Sequence, residues 1–416
     1  MQTVLSLYAL GAAGNSCKIS YRDFDLATVM KHASEQGIWQ SVFAGIKDAV
    51  KNGDIIIPED KIPLFEGFNK QLIINCLQRQ QRWEAVKSII AKIEENGIKC
   101  CVLKGETLAV LYKNPECRAS GDVDLLIDES GEAKALEILR ENGFEVEIRA
   151  KSGNHDECFH PELGALELHV SLYYDIMQDV WFDNQEMMQE PLRNMGDINA
   201  LGITDGYIYT LLHAVKHFLS NGLCVKQIMD VLLYEKAYKN EIDFKRVSDL
   251  LVHLKYKSFS DSLKSFGVKY FGFSDADFYE FKYDEALAEK ILNDVFEGGL
   301  FGKKEERSEF FEIYNAYRFS TFKKGDFNAF MTAWRRKNVL KSMSFSWENM
   351  KIRYPYVLKK PYLLPLAWVN HVFVIVKTGL KRFRLVKQSL HYTAPEGEDT
   401  AVIEKRISLF REFDMI

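Results

Sequence analysis

The stretch Gly121-Asp122-Val123-Asp124-Leu125-Leu126-Ile127 constrains this chain more than any other. Side chains of an extended strand alternate between faces, so Asp122 and Asp124 share one face while Val123, Leu125 and Ile127 point into a core. Two aligned carboxylates at a strand end form a divalent-cation site. Upstream, the apolar run Cys101-Val102-Leu103-Lys104 stops at Gly105, and Glu106 to Tyr112 reads as a helix that starts there. Backbone N–H groups at such a start favour a phosphate. Downstream, Leu166, Leu168 and Val170 alternate with Glu167 and His169, which predicts a second strand and adds a third carboxylate.

These segments read Leu103-Lys104-Gly105-x-x-Leu108-Ala109, then Arg118-x-x-Gly121-Asp122-Val123-Asp124-Leu125-Leu126, then Leu166-Glu167-Leu168-His169. In that order they resemble the DNA polymerase beta type of nucleotidyltransferase superfamily, and are closer still to the bacterial branch of uncharacterised nucleotidyltransferases. The resemblance is clearest over residues 98–172 and thins out by about residue 235. It implies transfer of a nucleoside monophosphate from a nucleoside triphosphate such as ATP onto an unidentified acceptor, with release of pyrophosphate. It also implies two Mg²⁺ ions about 3.5–4 Å apart, which neutralise phosphate charge and hold the attack in line. Magnesium prefers oxygen ligands, which suits Asp and Glu.

By resemblance, Asp122, Asp124 and Glu167 are the catalytic and metal-holding residues. Nucleotide binding falls to Lys104, Gly105, Thr107, Arg118 and Gly121: Gly105 lets the backbone close on phosphate, and the Arg118 guanidinium matches phosphate oxygens in pairs. One position departs from the family pattern. The superfamily follows its phosphate-turn glycine with Gly or Ser, whereas Glu106 follows Gly105. A carboxylate aimed at a triphosphate is repulsive, so Glu106 must point away or the grip is altered. Thr107 is the candidate for the missing hydroxyl.

Three histidines are candidate substrate-pocket residues. His169 shares the face of Glu167 by parity. His213 and His217 stand four apart on an expected helix, a spacing that lets two imidazoles share a metal. No Glu follows His213 and no third ligand is evident, so lining the pocket is the expected role. His155 and His160 are expected to flank a hairpin turn ending at Pro161, with a loop role.

The chain's 416 residues suffice for two or three domains. Residues 1–97 are expected to form a helical region, 98–204 the catalytic domain, 205–350 a helical domain on the acceptor side, and 351–416 a basic and apolar segment. The expected fold is α+β, a small mixed sheet with mainly helical flanks. A net charge of −5 gives no general case for extended nucleic acid as partner, which favours a small molecule, sugar or protein side chain as acceptor. Seven cysteines without C-x-x-C spacing indicate free thiols in a reducing cytoplasm. The apolar patch from Val4 to Ala13 has no Lys or Arg before Lys18, unlike a signal peptide, so the expected location is cytoplasmic.

Between Lys351 and Lys387 there are nine Lys or Arg and no acid, flanking the apolar run Tyr362–Val376. Pro365 and Asn370-His371 interrupt that run, and a spanning helix needs about 20 apolar residues. A buried helix with a basic rim is the expectation, and a helix lying on an anionic membrane surface its rival.

Two other function classes compete with the enzyme. A protein of the same fold that binds nucleotide or a partner without catalysis would explain Glu106. A metal-dependent glycosyltransferase also uses Asp-x-Asp, but requires a doubly wound domain where residues 21–96 read as helix.

Overall fold

The alternating segments form a small five-stranded sheet, a two-stranded ribbon pairs Arg193–Asn194 with Asn199–Ala200, and the rest of the described chain is mainly helical, an α+β architecture. The computed structural model describes residues 2–16, 24–147, 155–172, 188–219 and 222–298, and beyond these 317, 330, 333, 345–347, 350, 354, 356–373 and 398–416. The chain divides into two compact units, residues 1–308 with 413–415, and residues 309–412 with 416.

In the first unit, helices α1 (Gln2–Ala13), α2 (Leu26–Glu35), α3 (Trp39–Lys51) and the long α4 (Ile62–Glu95) precede the sheet. The apolar patch of the N-terminus is α1, buried along its length. It lies so close on α3 that a Cβ built at Gly11 would stand 1.9 Å from Ser41 O, and one at Gly45 equally near Leu7 O. Only glycine allows two helix backbones that approach.

The sheet contains β1 (Cys101–Val102), β2 (Asp122–Leu126), β3 (Glu145–Glu147), β4 (His155–His160) and β5 (Gly164–His169), in the order β1-β2-β5-β4-β3. Only β2 and β5 pair in parallel, with Asp124 opposite Glu167. That mixed order is not the doubly wound sheet a glycosyltransferase reading requires. Between these strands lie the short α5 (Glu106–Ala109) and α6 (Glu132–Glu141).

The odd-numbered residues of β2 and the even-numbered residues of β5 build the core. Val123, Leu125, Leu166 and Leu168 pack with Val86, Ile90 and Ile93 of α4 and Leu136 and Leu139 of α6. The Asp-x-Asp face is left for the helices that follow. These are α7 (Ile203–Leu219) and α8 (Val225–Tyr238), then α9 (Phe244–His253), α10 (Lys257–Phe271) and α11 (Glu285–Gly298).

Two local expectations need correction. The helix expected from Glu106 to Tyr112 is one turn, so its terminal dipole is small. His155 and His160 do not flank a turn: they are the two ends of β4, paired with His169 and Gly164, and the turn follows at 161–163. His160 Nδ1 accepts hydrogen bonds from the backbone N–H groups of Glu162 and Leu163, each at 3.1 Å, which closes that turn.

In the second unit, the apolar run is helical at 364–373. It buries Ala367 and His371 but leaves Tyr362 74% and Phe373 69% exposed, so among the described residues it is not the buried core helix expected. Residues 374–387 of the basic segment lie outside the described residues. Among the described residues no helix is long and apolar enough to cross a membrane.

Candidate active site

Alternation along β2 and β5 brings the acidic residues together. Asp122, Asp124 and Glu167 each offer a carboxylate oxygen, all within 4.8 Å of one another. Asp124 is buried at 1% exposure while Asp122 stays partly open. A buried carboxylate needs compensating charge. Lys104 supplies it, with Nζ 3.2 Å from Asp124 Oδ1 and 3.6 Å from Asp122 Oδ2. His169 Nε2 lies 3.2 Å from Asp124 Oδ1 and 3.2 Å from Glu167 Oε2.

The protonation states follow from these contacts. Burial disfavours charge on Lys104, but Asp124, Asp122 and Glu167 outweigh it and hold its pKa above the usual range. Burial alone would raise the Glu167 carboxyl, yet the His169 hydrogen bond with His155 and Lys104 brings it down to about 2. His169 is likewise raised against its burial by Asp124 and Glu167.

A divalent cation fits this donor set. Asp124 Oδ2 is buried and has no hydrogen-bond partner among the described residues. An acceptor atom so placed is costly to leave unsatisfied, and an all-oxygen set suits a hard cation.

The glycine turn is held from behind. Gly105 has φ 79°, a conformation open to glycine, and a Cβ there would stand 3.2 Å from Ser120 Oγ. Its carbonyl accepts from Arg118 Nη1 at 3.1 Å. The expectation that Arg118 contacts triphosphate meets a different geometry. Its Nε and Nη2 both donate to Asp230 of α8 at 2.8 Å, and the residue is 4% exposed. Asp230 also accepts from the Tyr112 hydroxyl at 2.8 Å, which in turn lies 3.4 Å from the Tyr8 hydroxyl of α1. Arg118 is thus a strut between α8 and the glycine turn.

Glu106 lines a second small cleft with Arg82 and Asp122, where its carboxylate is turned to α4: Arg79 Nη2 donates to its Oε1 at 2.7 Å. Thr107 is buried, with its hydroxyl 3.5 Å from Leu103 O, and does not reach the clefts around Asp122. Ser120, which no sequence motif singles out, lines them instead and donates to Asp122 O at 3.0 Å. Gly121 precedes β2, and its carbonyl accepts from Arg82 Nη2 at 3.3 Å; the same nitrogen holds Ala165 O at 3.0 Å, which fixes the heads of β2 and β5.

Beside Asp122 a cleft is lined by Lys104, Gly105, Ser120, His213 and Lys226. His213 Nε2 lies 3.3 Å from Lys104 Nζ, and His217 packs edge-on against it at 4.6 Å between ring centroids. Burial and then neighbouring lysines push His213 well below its usual pKa and His217 to about 3, so both are neutral. Lys216, lowered to about 8 by burial and then by Lys104, feels the attraction of Glu167, Asp124 and Asp122. Lys226 Nζ donates to Ala119 O at 2.9 Å. Sequence pattern does not select Lys216, Lys226 or His155, because helix packing and strand pairing bring them here.

An Asp-x-Asp strand beside a Glu strand, entered from a glycine turn and backed by a cationic cleft, is the layout of a nucleotidyltransferase domain. A family model described as uncharacterised nucleotidyltransferase matches residues 22–263, and the chain belongs to that family. No curated protein matches the chain. Among solved structures, a tRNA-processing enzyme in an apo form aligns over 85% of this chain and 99% of its own at 15% identity and a TM-score of 0.24, an overlap too loose to bear on fold or function.

Proposed function

We propose that the chain is a Mg²⁺-dependent nucleotidyltransferase that moves a nucleoside monophosphate from a triphosphate onto an acceptor hydroxyl and releases pyrophosphate. The observation that carries this is the convergence of Asp122, Asp124 and Glu167 within 4.8 Å beside a lysine-lined cleft. Mg²⁺ held by these three carboxylates would neutralise phosphate charge and lower the acceptor's pKa. The protein's own part is to bind and orient. Lys104 and Lys226, with Lys216 close by, meet the polyphosphate, whose charge relieves the crowding of buried ammonium groups. Gly105 lets the backbone approach, and Ser120 offers a hydroxyl at the same wall.

Where the sequence pattern assigns the helices after residue 205 to the acceptor, this reading gives them to the triphosphate, and the acceptor to α4. An open groove runs along α4, lined by Asn75, Gln78, Arg79, Gln81, Arg82 and Ser120 among others. Amides and guanidinium groups suit a polar, hydroxyl-rich acceptor such as a sugar, small metabolite or protein side chain. Arg79 and Arg82 each keep a buried Nε–H without a partner among the described residues.

The test is pyrophosphate release from each ribonucleoside triphosphate with Mg²⁺ and a cell extract as acceptor source, using label on the α-phosphate to follow the product. The Asp122→Asn, Asp124→Asn double variant is expected to lose activity by about 10³-fold, roughly 4 kcal/mol of transition-state stabilisation. Equal transfer by both proteins would refute the assignment.

A further inference from the structure

Glu167 stands between two donor groups. Asp122 and Asp124 lie towards β2, while His155 and His169 face each other directly across β4 and β5. His169 Nε2 is 3.2 Å and His155 Nε2 3.9 Å from the same oxygen, Glu167 Oε2. The three donor atoms fall within 4.8 Å of one another, and the imidazole centroids are 4.9 Å apart. Two ligands about 2.1 Å from one tetrahedral ion are about 3.4 Å apart, so little movement would close this set on a cation. Glu157 is the neighbour of Glu167 in the register, with Oε1 4.0 Å from His155 Nε2, and offers a fourth donor.

We infer that the chain has a second cation site, His155–Glu167–His169, which takes a borderline transition-metal ion such as Zn²⁺ and shares Glu167 with the all-oxygen set. The ligand types separate the two ions. Imidazole nitrogens favour Zn²⁺ and Co²⁺, whereas Mg²⁺ demands oxygen. The strand pairing explains why the donors converge: directly opposed residues of an antiparallel pair present their side chains on the same face. A shared carboxylate also couples the sites, because an ion on the histidine side withdraws charge from the Asp122 and Asp124 side.

The site does not require transfer activity, so its test is independent of the enzyme reading. Co²⁺ serves as the visible probe in a titration of the full chain, with Zn²⁺ as competitor. Expected are nitrogen-ligated d–d bands that Zn²⁺ removes and excess Mg²⁺ does not. The His155→Gln variant should bind Zn²⁺ about 10–100-fold more weakly. Should His155→Gln misfold, Zn²⁺ X-ray absorption on the unaltered protein decides the matter. An imidazole signature supports the site, and an oxygen-only shell overturns it, as does unchanged Zn²⁺ affinity in a folded His155→Gln protein.

Discussion

The two faces of β2 and β5 are made from alternate residues of the same strands. Val123, Leu125, Leu166 and Leu168 face α4 and α6, none more than 9% exposed. One residue along, Asp122, Asp124 and Glu167 crowd like charges onto the other face, held by Lys104 and His169. On the first face each buried side chain contributes about 1.5–3 kcal/mol by leaving water. On the second, stability is spent on geometry, since like-charged carboxylates persist only where compensating cations are fixed around them. A chain can thus build strength and reactivity on one strand, provided something outside the strand holds the reactive face in place.

That requirement gives the largest expected effect. Arg118→Met leaves Asp230 buried with only the Tyr112 hydroxyl, and should lower the unfolding free energy by about 3–5 kcal/mol in urea titrations. The double variant with Asp230→Leu should recover much of the loss. If Arg118→Met unfolded like the wild type but lost triphosphate affinity, the residue would belong to the substrate and not to the strut.

Leu168→Ala probes the apolar face. It is fully buried in the sheet core, so its truncation should cost about 2–5 kcal/mol, while the folded fraction keeps its metal and nucleotide affinity. A loss of affinity equal to that of an Asp122 variant would show that the two faces are not separable.

Parity along single strands accounts for what was legible beforehand. The periods of β2 and β5 placed Asp122, Asp124, Glu167 and His169 on one side without any knowledge of pairing. The expected helix that carries His213 and His217 is α7, and Gly105 announced a turn whose positive φ the structure bears. What stayed hidden depends on contacts distant in sequence. Arg118 finds Asp230 112 residues away, and Glu106 finds Arg79 across 27. Neither partner is written in a local period. His155 was misread because a hairpin's register cannot be counted from one strand: its place opposite His169 exists only once β4 and β5 pair.

The smallest effect concerns Glu106, the one departure from the family's phosphate turn. Its ion pair with Arg79 is partly exposed, at 22% and 17% of the side chains, and such pairs contribute about 0.2–1 kcal/mol. Glu106→Gln should therefore leave thermal unfolding nearly unchanged. Its effect on triphosphate affinity sharpens the contrast between residues that face the cleft and residues that border it. With the carboxylate turned to Arg79, calorimetry should show a change in affinity below about threefold, under 0.7 kcal/mol. A carboxylate facing the phosphates would repel them, and its neutralisation would tighten binding about tenfold or more. That larger gain would mean Arg79 releases Glu106 when the nucleotide arrives, and that the groove along α4 and the phosphate cleft act as one site.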